Sequence, residues 1–241
     1  MPPKYIELQH CYVLHTRPYR DTSLLVDTLS QAHGKLTLIA RGARKTSKSS
    51  QNPRHLLQPF MPLSLSWTGK GVLKTLTMME AAAPATHLIG HHLYSAMYAN
   101  ELLVYLLQED DPNEDIYFHY ENLLLMLSNV QYSIEAALRQ FEFALLAVLG
   151  YEIGFRHDAE TQLPLKESEY YYYVHEQGFV AVNAHPEIRG MSFSGESLLA
   201  ISTNNYELPD TLQAAKQIAR MALKPYLRNR TLHSKELFLA H

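Results

Sequence analysis

The residues with the clearest chemical potential lie in one basic segment of the first third of the chain. Residues 39–57, IARGARKTSKSSQNPRHLL, contain five Lys or Arg side chains and no Asp or Glu. No acidic residue at all occurs between Asp27 and Glu80. Basic side chains without acidic neighbours can neutralise a polyanion and release its counterions. The alternative interpretation is a loop that only keeps the protein soluble.

The candidate polyanion contacts extend from this segment to basic residues on or beside the neighbouring predicted strands. The full candidate set is Lys35, Arg41, Arg44, Lys45, Lys48, Arg54, Lys70 and Lys74. Nucleic-acid sites of this kind often add aromatic side chains on which bases stack. Tyr12, Tyr19, Phe60 and Trp67 are available for stacking, although burial in a core is the favoured interpretation of Phe60 and Trp67.

A second basic group lies near the C-terminus. Four cations recur every four residues, and on a helix this spacing places them on one slowly drifting stripe: Lys216, Arg220, Lys224 and Arg228. The stripe could contact nucleic acid, or it could pair with acidic side chains of the same chain. The sequence leaves both interpretations open.

The motifs of the common enzyme classes are absent from the sequence. No complete Gly-rich phosphate loop occurs, and GMSFSG, residues 190–195, fails the spacing of a nucleophile elbow. We interpret Ser192 and Ser194 as turn residues. The 13 His residues form no H-E-x-x-H pattern, and the single Cys, Cys11, excludes a paired C-x-x-C site. We therefore expect no catalytic residues, no metal site and no cofactor.

Composition indicates an ordinary folded protein with an uneven distribution of charge. The 241 residues are 46% hydrophobic and 19% charged, which is typical of a globular chain. The net charge of −3 divides into +7 for residues 1–80, −15 for residues 81–210 and +5 for residues 211–241. No apolar run reaches the roughly 18 residues of a membrane span, and no signal sequence is apparent. We expect a cytoplasmic protein whose two ends face anions.

Alternating short apolar runs predict that the basic segment belongs to a small β-barrel. Strands are predicted over residues 11–16, 23–29, 35–40, 60–67 and 72–80, with turns marked by glycines such as Gly34 and Gly69. Five strands in about 80 residues are typical of an OB-fold barrel. We predict an OB-fold domain over residues 1–83, with residues 39–57 as a long loop between the third and fourth strands.

After residue 83 the apolar spacing changes from two to between three and four. This periodicity predicts three helices that form a bundle. The third of them spans residues 133–149, with Ser133 as its N-cap. Residues 155–195 are less regular and contain a predicted hairpin with a turn near Gly178. We predict an α+β protein, with an N-terminal OB-fold barrel followed by an α-helical bundle domain, residues 84–241, that carries a small hairpin insertion.

Five stretches of the chain together carry a family resemblance. VLHTRPYRDTSLLVDTLS, GKLTLIARGARK, LQPFMPLSLSWTGKGVLKTL, LRQFEFALLAVLGY and RMALKPYLRNRTLHSKELF resemble, in order and spacing, the gammaproteobacterial form of the RecO family of DNA repair and recombination mediators. The resemblance covers the chain from about residue 10 to its end. It implies an OB domain, a helical domain and no catalytic turnover or cofactor.

The resemblance also implies partners. RecO proteins bind single- and double-stranded DNA, anneal complementary strands, and with RecR help load RecA onto DNA coated with single-stranded DNA-binding protein, SSB. The position of GKLTLIARGARK implies DNA contacts at Lys35, Arg41, Arg44 and Lys45. A protein of this family is expected in the cytoplasm, associated with the nucleoid and without a membrane. An alternative is a protein-interaction adaptor that binds the SSB tail and has only incidental DNA affinity.

The family contacts the acidic, Phe-terminated tail of SSB through its helical domain. Such a tail requires a cation beside an apolar groove, and we infer that Arg139, with Leu138, Phe141 and Phe143, forms it. Many relatives carry a four-Cys zinc site after the helical bundle. Because this chain has only Cys11, we expect residues 155–195 to hold their shape by packing alone.

Overall fold

A computed structural model describes residues 5–44, 53–188, 190–228 and 230–239. The described chain forms two compact units, one of residues 1–130 with residues 231–241 and one of residues 131–230. Five strands begin the first unit, β1 (Tyr5–Tyr19), β2 (Ser23–Ser30), β3 (Gly34–Ala40), β4 (Pro62–Thr68) and β5 (Leu73–Ala81), with a short helix α1 (Pro53–Leu56) between β3 and β4. No helix within the described ranges is long and apolar enough to span a bilayer.

The five strands close into a barrel in the order β1-β2-β3-β5-β4. All pairs are antiparallel except β3 with β5. Because side chains alternate along a strand, one side of β3 places Leu36 and Leu38 in the buried barrel core, while Lys35 and Thr37 face outward. The predicted OB-type barrel is confirmed.

Two details of the barrel differ from the sequence interpretation. Residues 39 and 40 belong to β3, as in the predicted strand over residues 35–40, and residues 53–56 are helical, so the loop predicted over residues 39–57 overlaps regular structure at both ends. Strand β1 is much longer than predicted because it pairs with two partners, β4 through its first half and β2 through its second.

Two long helices, α2 (Gly90–Leu106) and α3 (Glu114–Ser128), pack together in the same unit as the barrel. Asn100 on α2 donates to the Leu14 carbonyl of β1 (2.9 Å), and the Tyr120 hydroxyl of α3 donates to Asn100 (2.6 Å). Tyr12 of β1 packs edge-on against Tyr120. These contacts place α2 and α3 against outward-facing residues of β1. The C-terminal helix α7 (Ser234–Leu239) also packs on α2.

The second unit contains the remaining elements, namely α4 (Ile134–Val148), a three-stranded sheet of β6 (Tyr170–Val174), β7 (Gly178–Ala181) and β8 (Ser192–Ser194), a 3₁₀ turn (Val182–Ala184), α5 (Gly195–Ser202) and α6 (Pro209–Leu223). The predicted hairpin is confirmed as β6 and β7. Ser192 and Ser194 were predicted in a turn, but they lie in β8, because both pair with β6. The mixed α+β architecture is confirmed.

The helices are thus divided, with α2 and α3 in the first unit and α4, α5 and α6 in the second. The predicted domain boundary at residues 83 and 84 follows the last barrel strand, which ends at Ala81. That boundary stays a prediction about domains, since α2 and α3 lie beyond it yet share a compact unit with the barrel.

Candidate nucleic-acid interface

Three arginines converge on one end of the barrel, where the β1–β2 turn meets the turn that follows β3. The Arg44 backbone N–H donates to the Thr22 carbonyl (2.8 Å), and the Arg44 guanidinium donates to the Arg20 carbonyl (3.1 Å). Arg20, Arg41 and Arg44 are all exposed. The two turns are therefore held side by side with their cations in solvent. We call Arg20, Arg41 and Arg44 the arginine end.

Neighbouring groups modify the charge of the arginine end. The Arg20 guanidinium lies 5.2 Å from the centre of the Tyr19 ring. Arg17 pairs with the buried Asp27 carboxylate at 2.8 Å. Burial acts to raise the pKa of Asp27, but hydrogen bonds with His15 and Thr37 and the charge of Arg17 outweigh it, so the pKa is lowered. Asp27 therefore stays ionised and neutralises Arg17, and the exposed charges of the two turns are those of the arginine end and of Asp21, next to Arg20.

The other predicted DNA contacts have different surroundings. Arg54 on α1 and Lys70 in the β4–β5 turn are exposed. Lys45 and Lys48 lie outside the described residues. Lys35 and Lys74, by contrast, are buried, each with 10% of its side chain exposed, and both contact the acidic segment of residues 109–111 between α2 and α3. The structure thus brings Arg41 and Arg44 to the arginine end and leaves Lys35 and Lys74 covered.

The aromatic side chains that the sequence offered for base stacking are mostly covered. Trp67 and Phe60 are buried, as the sequence favoured, and Tyr12 is buried too. Tyr19 is the partly exposed aromatic of the arginine end. An end that carries arginines with one partly covered ring is suited to phosphates rather than to base edges. The sequence analysis did not include Arg20 among the DNA contacts. Its position in the turn between the first two strands, within VLHTRPYRDTSLLVDTLS, could have indicated it.

The C-terminal basic stripe is shorter than its spacing predicts. Helix α6 ends at Leu223, before Pro225, so Arg228 lies beyond the helix and does not continue its face. Lys216 pairs with Glu135 of α4 at 2.9 Å, which is the intramolecular alternative that the sequence left open. Arg220 and Lys224 are exposed.

The predicted SSB-tail groove is only partly at the surface. Leu138, Arg139 and Phe141 are buried, and Arg139 pairs with the buried Glu142 at 2.8 Å. The Arg139 guanidinium is thus already paired within α4 rather than presented to solvent. Phe143 is different, since it lines an open cleft of about 600 Å³ with Phe155, Ile201 and Arg156. The assignment of these residues to the SSB tail stays a prediction.

The segment after α4 holds its shape through one buried carboxylate and an aromatic core. Asp158 Oδ1 accepts from the backbone N–H groups of Glu160 (3.0 Å) and Thr161 (2.9 Å), and Oδ2 accepts from Ala181 (3.0 Å). The rings of Phe155 and Phe179 pack together, with their centres 5.4 Å apart. Within the described parts of the chain, no three His, Cys, Asp or Glu residues group as metal ligands. Asp158 therefore ties its own loop to strand β7.

Comparisons with known proteins agree with the resemblance. The family described as recombination protein O N terminal matches residues 6–85, and recombination protein O C terminal matches residues 90–236. A DNA repair protein RecO of Photobacterium profundum is 44% identical over 96% of this chain and 95% of its own length. Proteins of the same name from Cellvibrio japonicus (43%, covering 97% of each chain) and Haemophilus influenzae (44%, covering 96% and 95%) are similarly close.

Proposed function

The chain belongs to the RecO family and has a role in DNA repair by recombination, and from that premise we propose that it is a non-catalytic DNA-binding mediator. It binds single- and double-stranded DNA and anneals complementary strands. It acts in the cytoplasm, on the nucleoid, without a cofactor. With RecR it promotes the loading of RecA on single strands coated with SSB, in recombinational gap repair.

The single observation that carries the DNA-binding proposal is the arginine end. Exposed guanidinium groups bind phosphates in a bidentate geometry, and three of them lie on two turns that are hydrogen-bonded to each other. Arg54 and Lys70 add exposed charge elsewhere on the barrel. Contacts of this type hold the backbone and leave base edges free to find a complement. A protein that holds two strands by their phosphates while their bases stay free can therefore promote annealing.

The proposed interaction with the SSB tail uses the second unit. The cleft lined by Phe143, Phe155 and Ile201 supplies an apolar floor. Arg156 supplies a cation at the same cleft, beside the carboxylates of Glu152 and of Asp158, which backbone N–H groups hold. An acidic tail that ends in Phe needs both features. The predicted residue Arg139 contributes to this unit through its buried pair with Glu142.

The alternative is an adaptor that works through its SSB contact and has incidental DNA affinity. Fluorescence-monitored annealing of complementary oligonucleotides, with and without SSB, separates the two functions. For the wild-type protein we expect annealing in both conditions, and for R41A/R44A an annealing rate reduced about tenfold in both, since two phosphate contacts are lost. The matched control K166A/K235A, which removes two exposed cations outside every candidate site, should keep the wild-type rate. Full annealing by R41A/R44A would instead support the adaptor.

A further inference from the structure

We propose that residues 109–111, which we call the acidic strap, form an autoinhibitory contact that covers basic strand residues of the barrel and is displaced by single-stranded DNA. The proposal rests on the DNA-binding function proposed above and adds regulation to the same barrel. The strap has the sequence Glu-Asp-Asp and connects α2 to α3. Strap and barrel lie in the same compact unit.

The strap holds the two lysines that the sequence predicted as DNA contacts. Lys74 Nζ lies 2.5 Å from Asp110 Oδ1, and Lys35 Nζ lies 3.8 Å from Glu109 Oε1 while donating to the Val104 carbonyl at 2.9 Å. The carboxylates of the strap occupy the positions that phosphate oxygens would take. Nearly half of the Asp110 side chain is exposed, so a competing anion can reach this pair from solvent.

The strap docks through its backbone as well as its charges. The Asp110 N–H donates to the carbonyl of Lys35, at the start of strand β3, at 2.9 Å. The adjoining Gly34 has φ +66°, and a Cβ placed on it would lie 1.9 Å from the Asp111 carbonyl oxygen. Only glycine therefore permits the strap to lie this close to β3.

The docked strap is incompletely satisfied, which suits a displaceable contact. The Thr37 hydroxyl lies within hydrogen-bond distance of both Asp27 Oδ1 (2.8 Å) and Glu109 Oε1 (3.2 Å), yet a hydroxyl has one proton to donate. Glu109 Oε2 is buried without a hydrogen-bond partner among the described atoms, and Asp110 adopts φ 58°. A buried, unpaired carboxylate oxygen and a left-handed backbone both destabilise the docked state.

Displacement of the strap would join two binding surfaces. Lys35 and Thr37 face outward on β3, and Thr37 contacts Asp27, which contacts Arg17 near the arginine end. OB barrels commonly bind single strands along this strand face. In a complex where DNA displaces the strap, phosphates of the DNA backbone would replace the two carboxylates beside Lys35 and Lys74. The bound strand would then extend from the arginine end along the strands.

Two pairs of variants test the strap, one by charge and one by shape. E109Q/D110N weakens the pairs with both lysines, and E114Q/D115N removes the same charge from the exposed first turn of α3. G34A pushes the strap away without a charge change. G90A is its control, since Gly90 also has positive φ but a Cβ there meets nothing within 4 Å.

Binding to a dT oligonucleotide is measured by fluorescence anisotropy across a salt series, with thermal unfolding to verify folding. E109Q/D110N and G34A should bind about tenfold more tightly than wild type, within the usual range of coupling between sites. Two added phosphate contacts should steepen the log–log salt slope by about 1.4. E114Q/D115N and G90A should stay within about twofold of wild type, a small change for residues outside the coupled contact.

Hydrogen exchange provides a second readout on the wild-type protein. The Asp110 amide, bonded to Lys35, should exchange faster when the oligonucleotide is bound. Unchanged or slower exchange in the bound state would overturn the strap, as would equal affinities of E109Q/D110N and E114Q/D115N. These outcomes occur with DNA bound, so they leave the proposed function standing. Absence of binding by wild type and every variant would instead overturn the DNA-binding function and the strap together.

Discussion

At the scale of single residues, the sequence identifies basic side chains but not their neighbours. Arg41 and Arg44 were predicted from an acid-free segment, and both are exposed at the arginine end. Lys35 and Lys74 have the same chemistry and strand context, yet they are covered by a segment about 35 to 75 residues away in sequence. Burial of a charge depends on such long-range partners, which local spacing does not contain.

Arg20 provides the first residue-scale prediction. Because its guanidinium is exposed in the turn bonded to Arg44, R20A should lower affinity for single-stranded DNA about threefold and flatten the log–log salt slope by about 0.7. Anisotropy titration checks both values. R156A, which removes an exposed arginine of the second unit, is the matched control, and an equal effect of the two substitutions would refute a specific role for Arg20.

Asp158 provides the second prediction at the scale of single residues. Burial acts to raise its pKa, but hydrogen bonds from Thr161, Glu160 and Ala181 outweigh it, and the pKa is lowered. A lowered folded-state pKa gives stability that is present above the unfolded value of about 3.9 and is lost as pH falls through the folded value.

D158N should therefore lower the free energy of unfolding by about 2 kcal/mol at neutral pH, the scale of hydrogen bonds to a charged group. The difference from wild type should shrink below about pH 4. Urea denaturation at neutral pH and below about pH 4 measures this difference in the free energy of unfolding, with E152Q as the control. A difference that is the same at both pH values would contradict the account of this carboxylate.

At the scale of elements, local signals located most of the secondary structure. Ser133 caps α4 as expected, since its side chain accepts from the Ala136 N–H, and Gly34 and Gly69 both have positive φ in barrel turns. The first ten residues of the chain gave no clear strand pattern, although β1 begins at Tyr5. Its first half is a strand because β4 pairs with it, and a pairing partner distant in sequence leaves no periodic signal.

The C-terminal helix gives a prediction at this scale. Glu101 of α2 accepts from the backbone N–H groups of His233 (2.8 Å) and Ser234 (3.0 Å) and from the Ser234 hydroxyl (2.6 Å). A carboxylate that caps a helix N-terminus is favoured by both hydrogen bonding and the helix dipole.

E101Q should keep the size of the side chain but weaken this cap by about 1 kcal/mol. Amides of α7 should then exchange about fivefold faster by hydrogen-exchange mass spectrometry, while barrel amides keep their rates. E80Q, at an exposed position of β5, is the control. Unchanged exchange in α7 would show that other contacts hold it, such as the stacking of Phe238 on His91.

At the scale of the whole molecule, charge is separated along the chain. The first 80 residues carry +7 and residues 81–210 carry −15. This partition was readable from the sequence and supports an anionic partner for the barrel. The contact between the acidic strap and the barrel lysines was not readable, because it depends on the path of the chain between α2 and α3.

The salt dependence of DNA binding tests the central claim, namely that the arginine end binds the phosphate backbone. The affinity of wild type and R20A/R41A/R44A for a dT oligonucleotide is measured by anisotropy between 50 and 300 mM salt, with unfolding temperatures as the control for folding. Since each phosphate contact contributes about 0.7 to the log–log slope for single strands, the triple variant should bind much more weakly, with a slope flatter by about 2. A folded triple variant with wild-type affinity and slope would contradict the account.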